Sequence, residues 1–325
     1  MSKNVKVNGL DYYGISKVQM NAVEGGTVTF VDADEATGGG GEKILYMDAA
    51  LLNAGGAYPV DADDYTTAVI PAEATFVDVE AFANLPNVDT LIVNGDCEFD
   101  VYEEAVSKSV YYYNAITKHH IPIRKLIIKD RTEIPAHFME RMGPLLEIDV
   151  CGAVGENAFD SCDFLRKIAL DGVTSIGPYA FYSCDDLTEV NIPESVNSIG
   201  ASAFSGCLDL TKVTMSDNVT SMGSKAFYGC TRLIEVTISE GVTSIESETF
   251  YNCSLTGITI PDSVVSIGGG AFYACTALET ITILGAETTI ADTSAIPSTT
   301  KIRAYTGSAA ETFANENGYT FEAIA

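Results

Sequence analysis

The stretch Ala180-Phe181-Tyr182-Ser183-Cys184-Asp185-Asp186-Leu187-Thr188-Glu189-Val190-Asn191-Ile192-Pro193-Glu194-Ser195-Val196-Asn197-Ser198-Ile199-Gly200 decides the fold, because the chain repeats it. Its phenylalanine belongs to a series, Phe159, Phe181, Phe204, Phe227, Phe250 and Phe272, at intervals of 22, 23, 23, 23 and 22 residues. Five of the six follow an alanine, with Thr249 the exception. Three residues after each stands a cysteine: Cys162, Cys184, Cys207, Cys230, Cys253 and Cys275. A leucine follows three further on at Leu165, Leu187, Leu210, Leu233 and Leu278, while Leu255 arrives one residue early. Internal periodicity of this length marks a stacked array, in which each unit is too small to bury its own apolar residues and neighbouring units do so for one another.

Within each unit the residues after the leucine alternate, as in Val190-Asn191-Ile192, Val213-Thr214-Met215, Val236-Thr237-Ile238, Ile258-Thr259-Ile260 and Ile281-Thr282-Ile283. Such alternation predicts a short, half-buried strand. A turn then leads to a second apolar pair ending in Gly or Glu, for example Val196-Asn197-Ser198-Ile199-Gly200, before the next phenylalanine.

The pattern Ala-Phe-x-x-Cys-x-x-Leu-x-x-Val-x-Ile-Pro-x-Ser-Val-x-x-Ile-Gly resembles the BspA-like leucine-rich repeats of bacterial surface proteins, closely from Gly152 to about Leu284. The resemblance implies a right-handed leucine-rich-repeat solenoid with one short parallel strand per repeat, binding or adhesion rather than catalysis, and a cell-surface or extracellular setting. Ser308 to Ala314 and Gly318 to Phe321 resemble the closing helix and strand of that family, so residues 306–325 are expected to form a C-terminal cap.

Upstream, the register runs through Ile148-Asp149-Val150 and Leu126-Ile127-Ile128 to Leu91-Ile92-Val93, which places the start of the array near residue 66 and its end near 305, about 10 repeats with an irregular part before residue 140. The strands at Leu91 and Leu126 are 35 residues apart, and the apolar spacing in the extra length predicts a helical insertion near 101–119. Residues 1–60 differ in kind. Val5-Lys6-Val7 and Val28-Thr29-Phe30-Val31 read as strands beside Asn8-Gly9 and Gly25-Gly26 turns, and Gly38 to Gly41 as a flexible break, which together predict a small β-rich N-terminal module. The segment from Asn8 to Val18 also resembles short N-terminal segments of prophage tail-associated proteins, which keeps a structural or receptor-binding component of a phage-like particle as a second reading.

Composition narrows the partners. With 18 Lys+Arg against 45 Asp+Glu, the formal charge of −27 repels nucleic acid and anionic membrane surfaces. The opening residues lack the apolar run of a signal peptide, and no segment reads as a membrane span, so direct insertion into a membrane is not expected and the compartment stays open.

The candidate chemical groups reduce to structural ones. The six in-phase cysteines recur one whole repeat apart, which matches no zinc spacing and points to a ladder of small buried side chains; Cys97 and Cys151 lie outside it. His119, His120 and His137 have no metal-hydrolase spacing, and the chain carries no nucleophile elbow, phosphate loop or dinucleotide fingerprint. Asp32-Ala33-Asp34-Glu35 and Asp61-Ala62-Asp63-Asp64 have alternating oxygen donors but not the full calcium loop. No enzyme and no cofactor is expected. The surface left to act is the sheet expected on the concave side. Its outward columns read Asn191, Thr214, Thr237, Thr259 and Thr282, continuing Ala169, and beside them Glu189, Lys212 and Glu235, flanked by Lys167, Gly257 and Thr280. With Tyr102 and Tyr111-Tyr112-Tyr113 of the insertion, these residues are the candidates for meeting a protein or glycan partner.

Overall fold

The computed structural model describes residues 5–7, 10–12, 44–47, 49–55, 65–78, 81, 85, 87–99, 102–106, 109–113 and 122–324. The chain winds as stacked coils of parallel strands, about eleven turns in all. Each regular coil contributes one strand to a main face, a second, shorter strand to another face, and a corner of tight turns carrying the Ala-Phe pair.

The main face begins with the parallel order Ile44–Tyr46, Thr67–Ile70, Thr90–Asn94, Lys125–Lys129, Glu147–Asp149 and Lys167–Ala169. It continues with Glu189–Ile192, Lys212–Met215 and Glu235–Thr237, and then with Gly257–Ile260, Thr280–Ile283, Lys301–Tyr305 and Phe321–Ile324. Hydrogen-bond pairing is interrupted between Ala169 and Glu189 and again between Thr237 and Gly257. On the second face the ladder from Glu133–Ile134 to Ser221–Met222 stops, and a new one starts at Ser244–Ile245.

One continuous core fills the array. Its spine is the phenylalanine column, in which Phe159, Phe181, Phe204, Phe227, Phe250 and Phe272 are wholly buried. Successive rings stack nearly parallel at 5.4, 5.2, 5.4, 5.6 and 5.5 Å between centroids. The coil rise therefore coincides with a favourable aromatic separation, and each ring serves two coils. One coil further upstream, Met139 and Met142 take the phenylalanine and cysteine places. Met139 N–H donates to Ala158 O as Phe159 N–H does to Ala180 O, and the Cys162 thiol donates to Met139 O as that of Cys184 does to Phe159 O. Flexible methionines fill both positions, so the repeat extends beyond the reach of its own letters.

The coils come closest at the glycine ending the second apolar pair. A Cβ on Gly177 would lie 2.7 Å from Val154 O, and one on Gly268 2.7 Å from Ser247 N. Glu246 holds this same place in the coil just before that of Gly268, and there the second-face ladder is interrupted. At the glycines of this place an added Cβ falls within 3 Å of the preceding coil's backbone, so a side chain here is incompatible with that close approach.

Two expectations need correction. Tyr102–Val106 and Ser109–Tyr113 form an antiparallel hairpin, in register from Tyr102↔Tyr113 to Val106↔Ser109, where a helix was expected near 101–119. The β-preference of Val110-Tyr111-Tyr112-Tyr113 outweighs a spacing that also suits a helix. The array also starts earlier than residue 66, because Ile44–Tyr46 pairs parallel with Thr67–Ile70 in the main sheet. Further upstream, Val5–Val7 and Leu10–Tyr12 pair antiparallel. Val28 to Val31 and Gly38 to Gly41 lie outside the described residues.

The array closes with helix α2, Ala309–Asn317, the shorter helix α1 being Ala49–Ala54. Ser308 Oγ accepts from Glu311 N–H at 3.1 Å as its N-cap, and Gly318 ends it in the left-handed region. Strand Phe321–Ile324 then pairs parallel with Lys301–Tyr305, so helix and strand cover the terminal coil. Among the described residues, no helix is long and apolar enough to cross a membrane.

Candidate functional site

The main strand face sorts its side chains by the pleat. Val190, Val213, Ile258 and Ile281 point into the core, while Asn191, Thr237 and Thr259 are exposed and Thr214 and Thr282 half-buried. Strand register aligns Asn191 with Thr214 and Thr237, and Thr259 with Thr282 and Arg303. Thr214 Oγ1 donates to Asn191 Oδ1 at 2.6 Å, so part of this polar column is bonded within itself.

The neighbouring column is charged and alternates in sign. Lys125, Glu147 and Lys167 are adjacent in one sheet, and Glu189, Lys212 and Glu235 in the next. Lys212 Nζ lies 2.7 Å from Glu235 Oε1, and Lys125 Nζ 4.0 Å from Glu147 Oε2. The hydrogen bond that Lys212 donates to the Glu235 carboxylate holds its ammonium above its ordinary pKa. Alternation ends at Gly257, after which Thr280 and Lys301 follow.

At that point the face has a depression of about 510 Å³. It lies where the pairing between Glu235–Thr237 and Gly257–Ile260 is interrupted. Val236, Ile238, Ile258 and Pro261 supply its apolar lining. Thr237, Thr259, Thr280 and Thr282 supply hydroxyls, and Glu240 is the one charged lining residue. The structure thus gathers Thr237, Thr259 and Thr282 around one hollow, with Glu235 and Lys212 beside it. Asn191, Thr214 and Glu189 lie further along the same face.

The depression was not visible in the repeat columns, because it arises from an absence. Gly257 carries no side chain, and the coil before it departs from the pattern at Glu246, Thr249 and Leu255. Those three departures are its signal in the sequence.

The six in-phase cysteines are buried and free, and each thiol has a partner. Cys184, Cys207, Cys230, Cys253 and Cys275 donate to the carbonyls of Phe159, Phe181, Phe204, Phe227 and Phe250 at 3.3, 3.2, 3.1, 3.3 and 2.9 Å. Cys162 donates to Met139 O at 3.1 Å. A thiol here fills space as a small hydrophobe and also satisfies the preceding coil's carbonyl. Burial pushes the Cys207 thiol up to about 12 and raises those of Cys162, Cys184, Cys230 and Cys253. These groups are proton-bearing structural donors rather than nucleophiles.

Cys97 and Cys151 instead flank the buried Arg131, whose guanidinium donates to Cys97 O at 2.8 Å and whose backbone N–H approaches Cys151 Sγ at 3.4 Å. His137 Nδ1 lies 2.6 Å from Glu140 Oε2. His119, His120 and both acidic clusters fall outside the described residues. Among the described residues, no three His, Cys, Asp or Glu side chains are grouped to hold a metal ion.

A second surface feature, unread in the sequence, is a tyrosine column. Tyr228, Tyr251 and Tyr273 each follow a column phenylalanine, and their rings stack at 4.5 and 5.3 Å. Lys225 Nζ stands 5.7 Å from the Tyr228 ring centre. The repeated Phe-Tyr dipeptide is its signature. Neighbouring rings cover one another's faces within the column, and Tyr273 at its end is exposed.

Residues 152–279 match the family model described as BspA type leucine rich repeat region, in six copies. No curated protein matches the chain. Among solved structures, the chain is similar to a T. pallidum leucine rich repeat protein at 23% identity over 55% of this chain and 87% of that one, with a TM-score of 0.46. It is similar to a leucine-rich repeat protein from Bacteroides ovatus at 16% identity over 96% and 99% of the two chains, TM-score 0.43. A leucine rich cell surface protein from Faecalibacterium prausnitzii is 19% identical over 96% of this chain and 89% of that one, TM-score 0.30.

Proposed function

Because residues 152–279 are BspA-type leucine-rich repeats, we propose that this protein is a noncatalytic binding or adhesion protein that meets a protein or glycan partner with its main strand face. The observation that carries the reading is the hollow beside Gly257, set in a regular face of short polar side chains. Thr side chains have few rotamers to lose, so ordering them against a partner costs little. A hollow also supplies what a flat face lacks, a place where one partner side chain is desolvated, and such places concentrate binding energy.

The test is a screen of the purified protein against extracellular-matrix proteins and glycans, with a variant carrying Thr214→Lys, Thr237→Lys and Thr259→Lys as control. These side chains point outward, so the variant is expected to fold and to lose whatever partner the parent binds. Equal binding by the two proteins moves the interface away from this face. No binding by either favours the second reading, a component of a phage-like particle or surface assembly.

A further inference from the structure

The charged column contains a register that the chain itself leaves incomplete. Lys125, Glu147, Lys167, Glu189, Lys212 and Glu235 alternate without a fault, and the next place calls for a cation. Gly257 occupies it. Sterics do not demand a glycine there: its φ is not positive, and an added Cβ would meet nothing closer than Thr280 O at 3.6 Å. This differs from the coil-contact glycines, where backbone blocks any side chain. In front of Gly257 lies the depression, with Glu240 as its one charged lining residue and Glu235 just before the lining Val236. Glu235 has Lys212 on one side, and its side chain is still 57% exposed. Four hydroxyls stand ready to bond donors at the tip of an incoming side chain, and apolar lining is available to its stem.

Resting on the strand-face reading above, we infer that the hollow at Gly257 receives a lysine or arginine side chain of a partner protein, which takes the missing place in the alternating column between Glu235 and Glu240. The partner's cation enters a surface whose overall charge of −27 attracts it from a distance, while the register of the column fixes where it settles. A neutral glycan would satisfy the hydroxyls but would leave the charge register open.

The experiment uses the whole, isotope-labelled protein and follows backbone amide resonances during titration with N-acetyl-arginine methylamide, its neutral glutamine counterpart, and a methyl glucoside. Saturating shifts centred on Thr237, Gly257 and Thr259 are expected with the arginine probe alone, weakening as salt is added. Gly257→Lys supplies the cation from within and should abolish the response while leaving the rest of the spectrum in place. Glu240→Gln should weaken the apparent affinity about tenfold. Equal shifts from the neutral probe, a response to the glucoside instead, or unsaturating shifts spread over the acidic surface would each overturn the inference. Should the threonine-to-lysine variant lose its partner while the arginine probe gives no localised shift, the strand-face reading stands and this one falls.

Discussion

Single residues here act in columns, so a substitution is felt by two coils at once. Phe204 stacks on Phe181 and on Phe227 and has no solvent contact. Phe204→Ala therefore opens a cavity shared between coils and is expected to cost about 3–5 kcal/mol in chemical denaturation; a loss below about 1 kcal/mol would mean that the array collapses around the gap. Columns accumulate cost as well. Asp185 is half-buried in a turn facing Asp163, Asp186 and Asp209, and burial first, then these carboxylates, raise its pKa. A carboxyl whose folded pKa is raised brings no penalty below its unfolded value of about 3.9, and the penalty grows as pH rises through the folded value. Asp185→Asn should thus raise the melting temperature at pH 7 and leave it nearly unchanged near about pH 3. An equal gain at both would trace the effect to packing. The cysteines show what a column looks like from sequence and what it hides. Their phase announces an inward ladder, but a hydrogen bond from each thiol to the carbonyl one coil back depends on the distance between coils, which no spacing of letters contains.

Elements were legible where side-chain period and coil geometry agree. Val-x-Ile alternation from Val190 to Ile283 foretells the parallel strands, and Ser308 with Gly318 brackets the closing helix by cap chemistry alone. The insertion from Tyr102 to Tyr113 departs from the expected helix because an apolar spacing of three or four suits one helical face, while its tyrosines and valines prefer a pleated ribbon. Two strands separated by only two residues form through local contacts, so intrinsic preference prevails there. The earlier start of the array escaped notice for another reason: Ile44-Leu45-Tyr46 is only three residues long, with no Phe or Cys column to fix its phase. The equivalence of Met139 and Met142 to the phenylalanine and cysteine places does not show in the pattern, because the fold reads volume and flexibility whereas the pattern asks for particular residues.

At the scale of the molecule, stability in a stacked array is a sum of coil terms and nearest-neighbour contacts, so its weakest interface sets where it opens. That interface is the coil between Met222 and Gly257, where pairing fails first on the second face and then on the main face, although Phe227 and Phe250 remain stacked. Native-state hydrogen exchange should find the amides of Gly257 and Ile258 among the least protected in the array, well ahead of Val213 and Ile281. Uniform protection along the array would show that the corner alone holds these coils together. The candidate site lies at this same interface, and it is only half legible, since outward threonines can be read from alternation but a hollow made by a missing side chain at a break in strand pairing cannot. The thiol ladder carries a last implication for where such a molecule can live. Eight cysteines without one disulfide, six of them aimed at carbonyls and five of those pushed by burial above the ordinary thiol pKa, leave the fold with no bond for a reductant to break and few thiolates for an oxidant to find. Its architecture is indifferent to redox poise, and a chain made in a reducing interior would keep the same shape on either side of a membrane.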